Sequence, residues 1–123
     1  MPKLTFQPVT VKGKRLAQGV EYTALLYTAG TVTHRLALHR SSIGVHPSFP
    51  RSSLSWQVSD PISGGLILRD VGAWVKGCPV SSAGLTLAGA RMNAMASLDA
   101  LLERIGSDAF NARLAAAAQG AQA

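Results

Sequence analysis

Apolar residues recur at every second position along two neighbouring stretches in the first half of the chain. The stretches are residues 20–28 and 32–39, and the pair Ala29-Gly30 separates them. A period of two is typical of β-strands, and glycine permits the backbone conformation that a tight reversal needs. The pattern therefore predicts a β-hairpin.

Further strands are predicted on either side of this hairpin. Residues 54–59 alternate in the same way, the turn sequence DPISGG follows at 60–65, and the apolar residues 66–68 return, which predicts a second hairpin. Near the start of the chain, residues 4–7 alternate as far as Pro8. A proline in a strand favours an edge position or a bulge, so we expect an edge strand there.

The spacing of apolar residues changes from two to three and four after residue 86. Thr86 precedes the change, and apolar side chains then recur on one helical face as far as Ile105. Threonine is a favourable N-cap, and glycine is a frequent helix stop, as at Gly106. Ser107 and Asp108 can cap a second, shorter helix.

This order of elements predicts an α+β fold in a single domain that spans residues 1–123. We expect an antiparallel sheet of about five strands, with two hairpins, within 1–76, and one long and one short helix within 86–118. The helices pack on one face of the sheet, because each element has an apolar face that needs a partner. The tail, 119–123, is expected to fray. The order is similar, in topology alone, to that of Whirly-type and positive-cofactor-type single-strand binders.

Cysteine content and hydropathy bear on the compartment. Cys78 is the only cysteine, so an intramolecular disulfide is excluded and a reducing compartment is the simpler interpretation. The N-terminal residues lack the apolar run of a signal peptide, and no run approaches the 18 or so apolar residues of a membrane-spanning helix. We therefore expect a cytoplasmic protein that does not enter a membrane.

The chain has few charged residues for its size. They make up 15% of the sequence, and apolar residues make up 47%, whereas about 25% of residues are charged in ordinary soluble domains. One interpretation is a helical tail whose alanines are exposed. The other is that part of the apolar helix stripe is covered by a second copy of the chain. We predict a homodimer, with the monomer as the alternative.

Positive charge is concentrated in the first half of the chain. Residues 1–58 contain seven Lys and Arg and one Glu, whereas residues 59–123 contain five basic and five acidic residues, so the net charge of +6 lies in the first half. Such asymmetry is typical of proteins that bind a polyanion, because neutralised phosphates release counterions.

The candidate contact surface combines the predicted hairpin with two basic loops. Arg35 and His39 occupy the same, outward face of one predicted strand, and the basic turn 12–15 and the long loop 40–53 add further cations. Arginine binds phosphate, and an aromatic ring stacks on a base. For Phe49 the alternative is burial between its two neighbouring prolines. The candidate residues are Lys12, Lys14, Arg15, Arg35, His39, Arg40, His46, Phe49 and Arg51.

The titratable residues form no catalytic or metal-binding pattern. His34 and His39 are an odd number of positions apart on one strand and therefore point to opposite faces. His46 with Cys78 would supply two of the four ligands of a structural zinc site. We expect His34 to be a hydrogen-bonded core or interface residue. No nucleotide-binding, metalloprotease or esterase motif is present, so we predict no metal, no cofactor and no enzyme activity.

Two functional hypotheses follow. The leading one is a non-enzymatic, nucleic-acid-binding accessory protein of a mobile genetic element. The alternative is a small inhibitor or adaptor that docks on an acidic protein surface. The chain is similar to anti-CRISPR proteins and other phage or plasmid accessory proteins in its size and in its lack of motifs. Salt-dependent binding to naked nucleic acid distinguishes the two hypotheses.

Overall fold

The structure, a computed structural model, describes residues 4–9, 14–15, 19–41, 54–72, 74–75 and 78–122. Its strands are β1 (Leu4–Phe6), β2 (Val20–Ala29), β3 (Val32–Arg40), β4 (Trp56–Ser59), β5 (Leu66–Leu68), β6 (Trp74–Val75) and β7 (Cys78–Pro79). A 3-10 helix (Ser82–Gly84) leads into α1 (Leu87–Ile105), and α2 (Ser107–Gln122) follows. The predicted α+β class is confirmed.

Five strands form one antiparallel sheet in the order β1-β2-β3-β4-β5, and β6 with β7 forms a separate two-stranded ladder. Both predicted hairpins, β2-β3 and β4-β5, are therefore confirmed. Gly30, in the first hairpin turn, has a φ of 63°, a left-handed conformation that glycine adopts without the steric penalty of a side chain.

The main core lies between α1 and the sheet face that we call the inner face. The strand register places Leu25 opposite Leu36 and Leu38 opposite Val58, and all four side chains are buried. Three residues of α1 complete this core with no exposed surface: Ala90, Ala94 and Leu98. Because alanine is small, the helix backbone can approach the sheet closely, and leucine fills the space farther along.

Two polar contacts tie the helices to the inner face. Tyr27 donates its hydroxyl hydrogen to Asp99 Oδ1 at 2.8 Å; burial, assisted by this carboxylate, raises the pKa of Tyr27 to about 12. His34 Nε2 bonds Asn111 Oδ1 at 2.6 Å, and the Asn111 amide donates to the Ala29 carbonyl. His34 is thus hydrogen-bonded, as expected, and it is half-buried rather than part of the core.

The helix ends follow from local sequence. The Thr86 hydroxyl accepts from the Gly89 amide at 3.2 Å, as an N-cap does. Gly106, with a φ of 86°, ends α1, and its amide donates to the Leu102 carbonyl. The second helix continues to Gln122, beyond the predicted 118, because its alanines favour helix. Among the described residues, no helix has the length and apolarity that crossing a bilayer requires.

The other face of the sheet, the outer face, is covered at one end by β1 and the segment after it. Phe6 is buried there, with its ring 5.7 Å from that of Tyr22 and 5.0 Å from that of His39, centroid to centroid. The Val9 amide then donates to the Gly64 carbonyl at 2.9 Å. The chain therefore crosses from one edge of the sheet to the turn between β4 and β5.

Candidate nucleic-acid interface

The structure divides the nine candidate residues into three groups. Lys12, His46, Phe49 and Arg51 lie outside the described residues. Lys14, Arg15 and Arg35 are exposed to solvent, whereas His39 is buried and Arg40 is partly buried.

Arg40 is built into the fold. Its guanidinium donates to the Leu54 carbonyl at 2.9 Å and to the Ala83 carbonyl at 2.7 Å, with a longer bond to Leu85. Its Cζ atom also lies 4.4 Å from the centre of the Trp56 ring, in a cation–π contact. These contacts join the end of β3 to the 3-10 helix and the residue after it, so Arg40 has a structural role.

His39 shares the outer face with Arg35, but it does not face solvent. Only 4% of its surface is exposed, and β1 covers it through Phe6. Burial lowers the pKa of His39, although its bond to the Arg40 carbonyl opposes that shift. This burial corrects the sequence-based expectation that His39 points outward.

His39 and Ser59 form a pair that the sequence analysis missed. Because the Arg40 carbonyl can only accept, His39 Nδ1 donates to it at 2.9 Å. Nε2 is then left to accept the Ser59 hydroxyl hydrogen at 2.8 Å. Nucleophilic serines use such a pair, but only 2% of Ser59 is exposed, so a substrate cannot reach its hydroxyl here. No local motif signals the pair, which depends on how β3 and β4 align.

An open groove of about 480 Å³ crosses the uncovered part of the outer face; we call it the outer groove. Arg35 and Tyr22 lie in it, and the turn residues Pro61 and Ile62 form one side. The Arg35 guanidinium has no hydrogen bond or ion pair with the part of the chain that the structure describes. Exposed apolar side chains accompany it: 65% of Leu26, its cross-strand neighbour, and 61% of Ile62 are exposed.

Arg15 is held beside the same turn. Its guanidinium donates to the Ser63 carbonyl at 3.1 Å and, more weakly, to the Gln7 carbonyl at 3.4 Å. The turn is rigid, because the buried Asp60 carboxylate accepts from the Ile62 amide and the Ser63 hydroxyl. Arg15 and Arg35, distant in sequence, are therefore both next to the turn that borders the outer groove.

The described residues form a groove with a positively charged side chain, but they do not bring metal-ligating side chains together. Within residues 4–9, 14–15, 19–41, 54–72, 74–75 and 78–122, no group of three or more His, Cys, Asp or Glu could hold a metal ion. In the same ranges every buried side-chain nitrogen or oxygen has a hydrogen-bond partner. The buried polar side chains of the described residues thus find their hydrogen-bond partners within the protein. The outer face exposes positively charged side chains.

Comparisons with protein-family models, with curated proteins and with solved structures found no match to this chain.

Proposed function

We propose that the protein binds single-stranded nucleic acid, without catalysis, in the outer groove. The strongest support comes from Arg35. It is exposed in the groove and has no counter-ion among the described residues. It also lies next to the turn that holds Arg15. A cationic groove with an aromatic side chain is what proteins use to bind single strands without sequence preference.

Each part of the groove has a defined task in this proposal. Arg35 and Arg15 contact phosphates. Tyr22, half-buried against Phe6, offers the rest of its ring to a base. A volume of about 480 Å³ lies within the 300–1,000 Å³ typical of small-molecule sites, so the groove can enclose about one nucleotide while the strand continues beyond it.

Fluorescence anisotropy of a labelled oligothymidylate tests the proposal. The two phosphate contacts, by Arg35 and Arg15, predict a log–log salt slope of about −1.4 for a single strand. Arg35→Gln should weaken binding severalfold at low salt and make the slope shallower by about 0.7. Arg69→Gln is the matched control, since Arg69 is also exposed but lies outside the groove. Absence of binding at micromolar protein and low salt would refute the proposal.

A second candidate function is docking on an acidic protein surface, as an inhibitor or adaptor. The exposed Leu26 and Ile62 favour it, because apolar side chains around an arginine resemble the core of a protein interface more than a phosphate-binding surface. If the oligonucleotide does not bind, this candidate becomes the leading one. Leu26→Ser would then be the variant to compare with wild type, since it leaves all charges in place.

The proposal includes a cytoplasmic location and a homodimer. The buried stripe of α1 packs on its own sheet, so a second copy would cover other apolar positions of that helix. Leu87, 40% exposed, and Met92, 73% exposed, are the large apolar residues available there. Sedimentation equilibrium over a wide concentration range tests this; the mass of a single chain throughout would exclude the dimer.

A further inference from the structure

A second cleft lies between the two helices and the edge strand β5, beside the 60–65 turn; we call it the helix cleft. Its volume is about 370 Å³. The apolar residues that line it come from both helices and from β5, and none of the following five is fully buried: Leu66, Ile67, Leu101, Ile105 and Leu114. Apolar surface therefore remains in contact with solvent inside a concave site.

Two arginines stand at this apolar cleft. Arg104, in the last turn of α1, and Arg113, in α2, both line it and are both exposed. Neither guanidinium has an ion pair or a hydrogen bond with the described residues. The acidic residue of the cleft, Asp60, is buried and already accepts from Ile62 and Ser63. The cleft thus combines an apolar lining with two arginines that have no ion pair among the described residues.

We propose that the helix cleft binds a small amphipathic anion, a hydrocarbon chain with a carboxylate head group. Guanidinium groups pair with carboxylates through two parallel hydrogen bonds, and the apolar walls would bury the chain. The volume lies in the lower part of the range for small-molecule sites, which suits a single short alkyl chain. The helix cleft shares the buried Asp60 with the outer groove but has its own arginines, and this proposal does not depend on the proposed function.

The lining of the cleft distinguishes this ligand from nucleic acid. Binding of single strands relies on aromatic rings on which bases stack. The aromatic residue of the helix cleft, Phe110, is only 3% exposed and has its ring against Tyr27 and His34. Without an accessible ring, the cleft offers a nucleotide only charge, whereas an alkyl carboxylate meets both the arginines and the apolar walls.

Isothermal titration calorimetry with dodecanoate below its micelle concentration tests the proposal. We expect saturable binding of one molecule per chain, at least tenfold weaker in the double variant Arg104→Gln/Arg113→Gln. Arg91→Gln is the matched control, because Arg91 is an exposed arginine of α1 outside the cleft. Dodecyltrimethylammonium, which has the same chain and the opposite charge, should not bind.

A second variant tests the apolar part of the site without removing charge. Ala117 lines the cleft and is exposed, so Ala117→Leu narrows the cleft while the fold is retained, and it should weaken dodecanoate binding severalfold. Unsaturable binding of dodecanoate, or equal weakening by Arg91→Gln, would overturn the proposal. The proposal would also be overturned if dodecanoate did not bind and the double variant lost affinity for the oligonucleotide. Both arginines would then belong to a surface that binds polyanions.

Discussion

The two faces of the five-stranded sheet are covered in different ways. On the inner face, α1 buries Ala90, Ala94 and Leu98 completely against apolar strand residues. On the outer face, a short N-terminal segment covers one end with Phe6 and His39 and leaves the rest open. The packing on the inner face depends on side-chain volume and apolar contact. The packing on the outer face depends on a few specific contacts and on one buried imidazole.

This difference predicts how each face responds to substitution. Loss of volume should be most costly on the inner face, where cavities are surrounded by packed side chains. On the outer face, backbone geometry and protonation should matter more.

The largest expected effect is that of Leu98→Ala. Leu98 is completely buried, so the substitution should lower the free energy of unfolding by about 2–5 kcal/mol through lost burial and the cavity left behind. Met92→Ala, on the exposed side of the same helix, should change it by less than about 0.5 kcal/mol. Urea denaturation measures both; equal effects would show that α1 does not form the core.

Arg40 and Arg35 provide a second contrast within one strand. Arg40→Gln should cost about 2–3 kcal/mol, since hydrogen bonds of a charged group contribute about 1.5–3 kcal/mol and three carbonyls lose their donor. Arg35→Gln should cost less than about 0.5 kcal/mol. Thermal and urea denaturation of both variants test this. Similar stabilities would contradict the structural role of Arg40.

A third prediction concerns the crossing of the outer face. Gly64 has a φ of 79°, and a Cβ atom there would lie 2.2 Å from the Gln7 carbonyl oxygen. Gly64→Ala should therefore cost at least about 2 kcal/mol, more than the 1–2 kcal/mol of backbone strain alone. Gly30→Ala shares the positive φ, but its Cβ would be 3.4 Å from Ser107. The difference between the two variants in urea denaturation isolates the contact with the N-terminal segment.

The smallest effect is a dependence of stability on pH. Burial lowers the folded-state pKa of His39 below 6.5, so in the window beneath 6.5 the unfolded chain binds a proton that the folded chain does not. The free energy of unfolding that the neutral, buried imidazole contributes is therefore complete above pH 6.5, and it is lost as the pH falls toward the folded-state pKa of His39. His39→Gln should reduce the loss of stability between about pH 7.5 and 5.5; an unchanged profile would show that His39 is accessible to solvent.

The hydrophobic pattern predicted the elements but not the core face of β2. Periods of two and of three to four are local properties, and they located both hairpins and both helices. In β2, however, both faces contain apolar residues, so the pattern could not choose between Leu25 and Leu26. The strand register pairs Leu25 with Leu36 and so places Leu25 on the inner face. That register is a property of the folded sheet.

The candidate site was predicted less well, because the role of a cation depends on residues far along the chain. Arg40 and Arg35 are alike in sequence, but Arg40 contacts carbonyls at positions 54, 83 and 85. His39 is buried by Phe6, from another strand. Nothing local in the sequence indicates that the two arginines of the helix cleft, Arg104 and Arg113, share one concavity.

The bond between Val9 and Gly64 has a consequence for the order in which the protein can fold. The β2-β3 hairpin involves near neighbours and can form early, because closing a short loop costs little entropy. The first strand leaves the ribosome before all the others, yet the contact that completes its crossing forms only after residue 64 has been synthesised. The crossing of the outer face is therefore completed late, although β1 can pair with β2 and place Phe6 on His39 before residue 64 is made.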